Sequence, residues 1–318
     1  MIIVCPQCAQ RHKVDADAVR PQLLAGKKII AKCSACKNRF AIPKARLKKP
    51  VISSPAPSPA PDSVQQSKKK HSRKICVTLS KGGVGKTTTS IHLAAGLALA
   101  RHKVLLVDTD TQGQSSYMLG KKPSAGLKEF LTKELPAEKC IEKARENLWL
   151  LSGGRGLAGV KKIIDQKSFG GEWVLAEAMT EIDHQYDFII FDTAPGWDQL
   201  MVNVLFYAEE VLIPVALEVM PFQGLSEFMK SLDNIRKYRK EVALKYVVPT
   251  FLDTRIKGPE TVLSKLQNLY PEHVCTPIRY CASLSEAPNT GKTIYEYAPG
   301  STASADYRQL VKDVMGEE

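Results

Sequence analysis

The order of apolar and polar positions changes character twice along the chain. From Ile75 onward, short apolar runs alternate with longer stretches of helical periodicity. Ile75 to Ser80, Lys103 to Asp108, Phe188 to Asp192, Val211 to Val215 and Lys245 to Pro249 read as strands, and Lys86 to Ala100 and Phe222 to Tyr238 as helices. This alternation predicts an α/β fold, a mostly parallel twisted sheet with helices on both faces. Residues 1–46 differ: Lys28 to Lys32 and Arg39 to Ile42 alternate as short hairpin strands do, but the segment has too few apolar residues to hold a core alone. Between them, 47–74 is a Pro/Ala/Ser tract ending in the basic run KKKHSRK, a composition that does not offset the entropy of ordering a backbone and reads as a semi-extended linker. The predicted organisation is a small β-rich module (1–46), a basic linker (47–74) and a large domain (75–318).

A length of 318 residues with 44% hydrophobic content suits one sizeable core and an appendage. No apolar run approaches the roughly 18 residues of a membrane-spanning helix, and the N-terminus has neither the basic region nor the apolar stretch of a secretory signal. A cytoplasmic protein is expected, with nucleoid association as its specialised form. The net charge of +12 is concentrated: residues 1–74 carry 17 Lys/Arg against three Asp, and the rest carries 28 basic against 30 acidic residues. Such a basic segment suits an anionic partner, non-specific DNA first, because phosphate contacts supply most non-specific affinity.

Four of the eight cysteines form two Cys-x-x-Cys pairs, Cys5/Cys8 and Cys33/Cys36, with 24 residues between them. That spacing is close to the four-thiolate zinc ribbon, so these four are expected to hold a structural Zn²⁺, supplying what the missing core cannot. Cys76, Cys140, Cys275 and Cys281 read as core or incidental thiols.

Lys81-Gly82-Gly83-Val84-Gly85-Lys86-Thr87-Thr88 follows an apolar strand and opens a helix, the context of a phosphate-binding loop. Its glycines let backbone N–H groups turn towards phosphate oxygens at a helix N-terminus. Lys86 is expected on the β/γ-phosphates of ATP and Thr87 on Mg²⁺. Asp108 and Asp110 leave the next strand tip two residues apart, and Asp192 ends an apolar strand as the Mg²⁺-supporting carboxylate of such sites does.

The extra lysine at the front of the loop, Lys81, resembles the ParA/MinD family of deviant Walker A P-loop NTPases. In that family it crosses a dimer interface to the partner's nucleotide. Asp108-Thr109-Asp110-Thr111-Gln112-Gly113 resembles the family's first switch; by that match Asp110 orients the attacking water and Asp108 supports the Mg²⁺ shell. Thr193 to Asp198 would be the second switch, with Trp197 standing outside the usual Pro-Pro-Ser. The likeness continues through Leu212 to Val215, Gly224-Leu225, Leu284 to Pro288 and Gly291 to Ile294, and covers Ile75 to about Met315. It implies a homodimer formed on ATP binding, slow hydrolysis stimulated by a ParB-like or adaptor protein, and a spatial switch in DNA partitioning or cargo positioning. The ending Val311-Lys312-Asp313-Val314-Met315-Gly316-Glu317-Glu318 is too short and too acidic for the basic amphipathic helix of the membrane branch, so a membrane role is not expected. A single cysteine, Cys140, between Asp110 and Asp192 does not supply the two bridging ligands of the iron-protein branch. Tyr280 and Ser283 stand where the DNA-binding branch has arginines, leaving Arg255 and Arg279 as candidates in this domain. The rival reading is a zinc-ribbon nucleic-acid-binding regulator with a vestigial ATPase.

Overall fold

The computed structural model describes residues 2–8, 11–13, 29–41, 71–217 and 222–316. The chain divides into two units, Met1–Gln66 and Ser67–Glu318. In the first, β1 (Ile2–Val4) pairs antiparallel with β2 (Arg11–Lys13), and β3 (Ile30–Lys32) with β4 (Arg39–Ala41), the second hairpin being the one that the 28–42 alternation predicts.

The second unit is built on β5 (Arg73–Val77), β6 (Val104–Asp108), β7 (Ile141–Arg145), β8 (Leu148–Leu151), β9 (Phe188–Asp192), β10 (Glu210–Ala216) and β11 (Ala243–Thr250). Their order is β11-β10-β5-β9-β6-β8-β7, parallel throughout except for β7, which returns antiparallel on β8 at one edge. Alternate residues of the central strands feed opposite faces, as a pleated strand must. Ile75, Val77, Val104, Leu106 and Ile190 join one core with helices α1 (Lys86–Leu99) and α7 (Thr302–Met315). Cys76, Leu105, Val107, Ile189 and Phe191 join the other, with α3 (Leu157–Asp165), α4 (Gln199–Tyr207) and α5 (Phe222–Arg236). The expected α/β class and two-faced helical cover are both present. The short helix α2 (Gln114–Met118) follows the tip of β6, and α6 (Pro259–Leu269) follows the last strand, β11.

Two features were not legible beforehand. The edge strand β7 carries little strand signal, because Ile141-Glu142-Lys143-Ala144-Arg145 is mostly polar and at the sheet edge, where only Ala144 is fully buried. The first central strand also begins at Arg73, two residues before Ile75. Arg73 pairs bidentately with Glu210 (both 2.7 Å) and donates to the Val314 carbonyl at 2.6 Å. Lys74 is buried 3.6 Å from Asp183 and from Glu209, over the Tyr207 ring. The last two charges of the basic run thus belong to the sheet.

Candidate nucleotide site and metal centre

β5, β6 and β9 end level: Val77 and Asp108 both lie in register with Asp192. Ligands of parallel α/β sheets bind beyond the carboxyl ends of such strands. There the chain leaves β5 into the loop Ser80 to Gly85, which turns through positive φ at Gly83 (+73°) and Gly85 (+87°), values that a side chain resists. Lys86 opens α1; its ammonium is nearly buried and donates to the Lys81 carbonyl at 2.8 Å. Burial pulls its pKa down, and Asp192 and Asp110 oppose this. The Lys81 side chain is exposed, as are Gly82 and Gly83, while Val84 is buried and its carbonyl accepts from Thr250 Oγ1 at 3.0 Å. Thr87 and Thr88, on the first turn of α1, are half-buried.

Two carboxylates meet under this loop, Asp108 at 0% exposure and Asp192 at 1%. Burial pushes Asp192 up to about 6, with hydrogen bonds from Thr87, Ser115 and Ser90 opposing. Burial, then the neighbouring Asp192, pushes Asp108 well above the usual carboxylate range. Asp192 accepts from Ser90 Oγ (3.1 Å) on one oxygen and Ser115 Oγ (3.0 Å) on the other. Asp108 accepts from the amides of Asp110 (2.9 Å) and Ser115 (3.1 Å). Two buried acids with raised pKa values call for a countercharge, and an all-oxygen set of carboxylates and a threonine hydroxyl suits Mg²⁺. Thr87, Asp108 and Asp192 therefore fit the ion.

Asp110 sits half-buried at the loop tip; its Oδ1 accepts from the Gln112 amide at 2.9 Å, and its carbonyl accepts from Gly113 (3.2 Å) and Gly154 (2.9 Å). The structure thus gathers Lys86, Thr87, Asp108, Asp110 and Asp192 at one place. Sequence reasoning missed Ser90, Ser115, Gly153 and Gly154. Ser115 has no motif of its own, but Gly153-Gly154 closely follows the apolar run Leu148 to Leu151, the same context of apolar strand and glycine turn that marks the phosphate loop. Trp197, whose packing was open, stands 41% exposed with its ring edge-on to Phe228 at 5.8 Å. Its neighbour Asp198 caps α4 through the Met201 amide and pairs with Lys161 at 2.5 Å.

The two arginines left as DNA candidates are engaged within the fold. Arg255 pairs with Asp253 at 2.7 Å and Arg279 with Asp306 at 2.6 Å.

In the first unit, the sulfurs of Cys5, Cys8, Cys33 and Cys36 all lie within 4.8 Å of one another. Cys5 to Cys36 and Cys8 to Cys33 are each 3.6 Å. A tetrahedral Zn²⁺ with bonds of about 2.3 Å separates its sulfurs by about 3.8 Å, so the four thiols fit the ion. His12 Nε2 lies 3.3 Å from Cys33 Sγ, a neighbour that the cysteine spacing does not reveal.

No helix among the described residues is long and apolar enough to cross a membrane. A family model described as an AAA domain matches residues 72–245. The chromosome-partitioning ATPase Soj of Thermus thermophilus is 34% identical over 245 residues, 76% of this chain and 95% of that protein. The sporulation initiation inhibitor protein Soj of Bacillus subtilis is 32% identical, covering 76% and 97%. A solved structure described as cobyrinic acid a,c-diamide synthase from Mycobacterium smegmatis, with bound ADP and magnesium, is 25% identical with a TM-score of 0.67 over 77% of this chain and 94% of that one. Sheet order, phosphate loop and relatives agree, and the chain belongs to the ParA/MinD family of P-loop ATPases.

Proposed function

We propose that this protein is an ATP-dependent dimerising ATPase that acts as a spatial switch in DNA partitioning or in positioning a cellular cargo. The observation that supports it most is the level ending of β5, β6 and β9. It brings the loop lysine Lys86 and the buried carboxylates Asp108 and Asp192 to the carboxyl edge of the sheet, with the loop-borne Asp110 two residues past the strand tip.

In this reading the amides of Gly82 to Thr88 cradle the phosphates of ATP, and Lys86, already desolvated, exchanges the Lys81 carbonyl for phosphate oxygens. Thr87 and Asp192, backed by Asp108, hold Mg²⁺, which neutralises phosphate charge when bound. Asp110 is tethered through its own amide and carbonyl, and its carboxylate orients the attacking water. Lys81 points into solvent and reaches the nucleotide of a second copy, so nucleotide state and pairing become one variable. A ParB-like or adaptor protein stimulates the slow hydrolysis and so returns the dimer to single subunits. Cys5, Cys8, Cys33 and Cys36 hold a structural Zn²⁺ in the module 1–46, and the basic N-terminal region 1–74, module and linker 47–74 together, supplies attraction to DNA ahead of the domain 75–318. The ATPase works in the cytoplasm, without a membrane partner.

Gel filtration with a non-hydrolysable ATP analogue and Mg²⁺ tests the reading. Wild type should elute as a dimer, Lys81→Ala as single subunits, and Asp110→Ala as a dimer that no longer turns over ATP. Wild type eluting as single subunits, together with unchanged turnover in Lys81→Ala, would end it.

A further inference from the structure

The short helix α2 carries Ser115, which touches both buried carboxylates, at its start; its other end is fastened to a distant part of the chain. Gly120 (φ +66°) lies backbone to backbone on Gly291 (φ +65°): a Cβ on Gly291 would stand 2.6 Å from the Gly120 Cα. Tyr117 donates its hydroxyl to Asn289 at 3.1 Å. Arg145, from the edge strand β7, bridges the two sides, donating to the Leu119 carbonyl (3.1 Å) and the Gly291 carbonyl (2.8 Å). It is aimed by Glu296, which it meets at 2.7 and 3.2 Å. Glu296 is in turn fixed by the Thr293 amide and hydroxyl.

The same segment is held from the phosphate loop. His92 lies one turn beyond Thr88 on α1 and is fully buried. The Ile294 amide can only donate, so His92 Nε2 accepts it (2.9 Å) and Nδ1 carries the proton that the Thr88 carbonyl accepts (2.7 Å). Tyr295 donates its hydroxyl to the His92 carbonyl at 2.9 Å. Residues 287–297 therefore reach the first turn of the loop helix through His92 on one side and touch the far end of α2 on the other. They also present Asn289, Thr290, Lys292 and Tyr297 to solvent.

We propose that Arg145 and the Gly120–Gly291 contact form a mechanical link through which the Asp110 loop and α2 set the conformation of residues 287–297, carrying nucleotide state to that exposed surface. The inference rests on the nucleotide reading proposed above. Arg145 touches no reacting atom and acts as a positioning residue. Its contacts to the Leu119 and Gly291 carbonyls come from the two arms of one planar fork, which a lysine cannot imitate. Packed backbones and a forked bridge transmit a displacement of α2 without slack, whereas a solvated loop would absorb it.

Hydrogen–deuterium exchange on the full chain, with ADP and with a non-hydrolysable ATP analogue, tests the link. In wild type, the amides of 287–297 should exchange about fivefold or more slowly in one nucleotide state than in the other. Arg145→Ala should cut that difference at least to half. Arg145→Lys, which keeps the charge and the Glu296 pair and so guards against a folding defect, should do the same. In both variants, protection of 81–92 by nucleotide should remain. A wild-type segment 287–297 indifferent to nucleotide, or an undiminished difference in Arg145→Lys, overturns the link. Loss of nucleotide protection at 81–92 in wild type itself would instead overturn the nucleotide reading beneath it.

Discussion

A Cβ at Gly153 would stand 2.5 Å from the Asp110 carbonyl, 2.7 Å from Asp108 Oδ1 and 2.8 Å from the Asp108 carbonyl. Two of these atoms are backbone and the third belongs to a buried carboxylate held by two amides, so Gly153→Ala must displace the Asp110 loop. In the proposed role of Asp110 as the group that orients water, a shift near 1 Å costs about 10²-fold in rate. Steady-state ATP turnover should fall by that order; turnover equal to wild type would show that this approach does not position Asp110. Ser115 is tested by stability. Ser115→Ala removes one hydrogen bond from a buried carboxylate and should cost about 1–3 kcal/mol in urea unfolding of the nucleotide-free protein. At the thiol cluster, His12 Nε2 is placed to donate to the Cys33 sulfur, and partners of metal ligands are worth about 10- to 100-fold in metal affinity. His12→Ala should release Zn²⁺ to a colorimetric chelator at least about tenfold more readily than wild type; equal release would leave His12 without a part in the site.

At the scale of elements, α1 does more than follow the phosphate loop, because its buried His92 joins it to 294–295 and stacks on Tyr307 of α7 at a ring distance of 4.9 Å. Burial lowers the His92 pKa to about 4, against 6.5 unperturbed, so the folded state requires the neutral ring. The stability that this provides is complete above pH 6.5 and is lost as the pH falls towards 4, amounting to about 3 kcal/mol over that window. The raised acids Asp108 and Asp192 act with the opposite sign, losing stability as the pH rises, so the informative measurement is a difference. Urea unfolding of wild type minus His92→Gln between pH 7 and pH 4 should slope downward with acidification; a flat difference would mean that the ring is not held neutral. The elements on either side of the phosphate loop were readable beforehand because each follows from one local rule: apolar strand, glycine turn, Lys-Thr, helix. The edge strand β7 was not, since an edge strand needs only alternate apolar residues and Ile141 to Arg145 supplies them weakly. Ser115 and Arg145 were hidden for another reason: their partners Asp192 and Gly291 are 77 and 146 residues away, and nothing local encodes such a meeting.

For the whole molecule, the fold changes where the charge is counted. Arg73 and Lys74 close the basic run in sequence, but they are committed to Glu210, Glu209 and Asp183 in the sheet, and Ser72 donates to the Asp183 and Tyr186 carbonyls. Residues 1–70 hold 15 Lys/Arg and three Asp, and residues 71–318 hold 30 basic and 30 acidic residues, so the entire +12 lies before His71. With Arg255 and Arg279 also paired, the ATPase unit has no net attraction for phosphate to offer at long range. A deletion that probes DNA binding should therefore end at Lys70, since cutting at Lys74 would remove the first strand's anchors and confuse unfolding with the removal of charge. The shortened chain should keep its nucleotide-dependent elution while its DNA affinity falls. Its plot of log affinity against log salt should flatten by about 0.9 for each phosphate that the protein no longer neutralises. Unchanged affinity and slope would place the DNA contacts on the ATPase unit, where they would have to come from a few local side chains working against a neutral background.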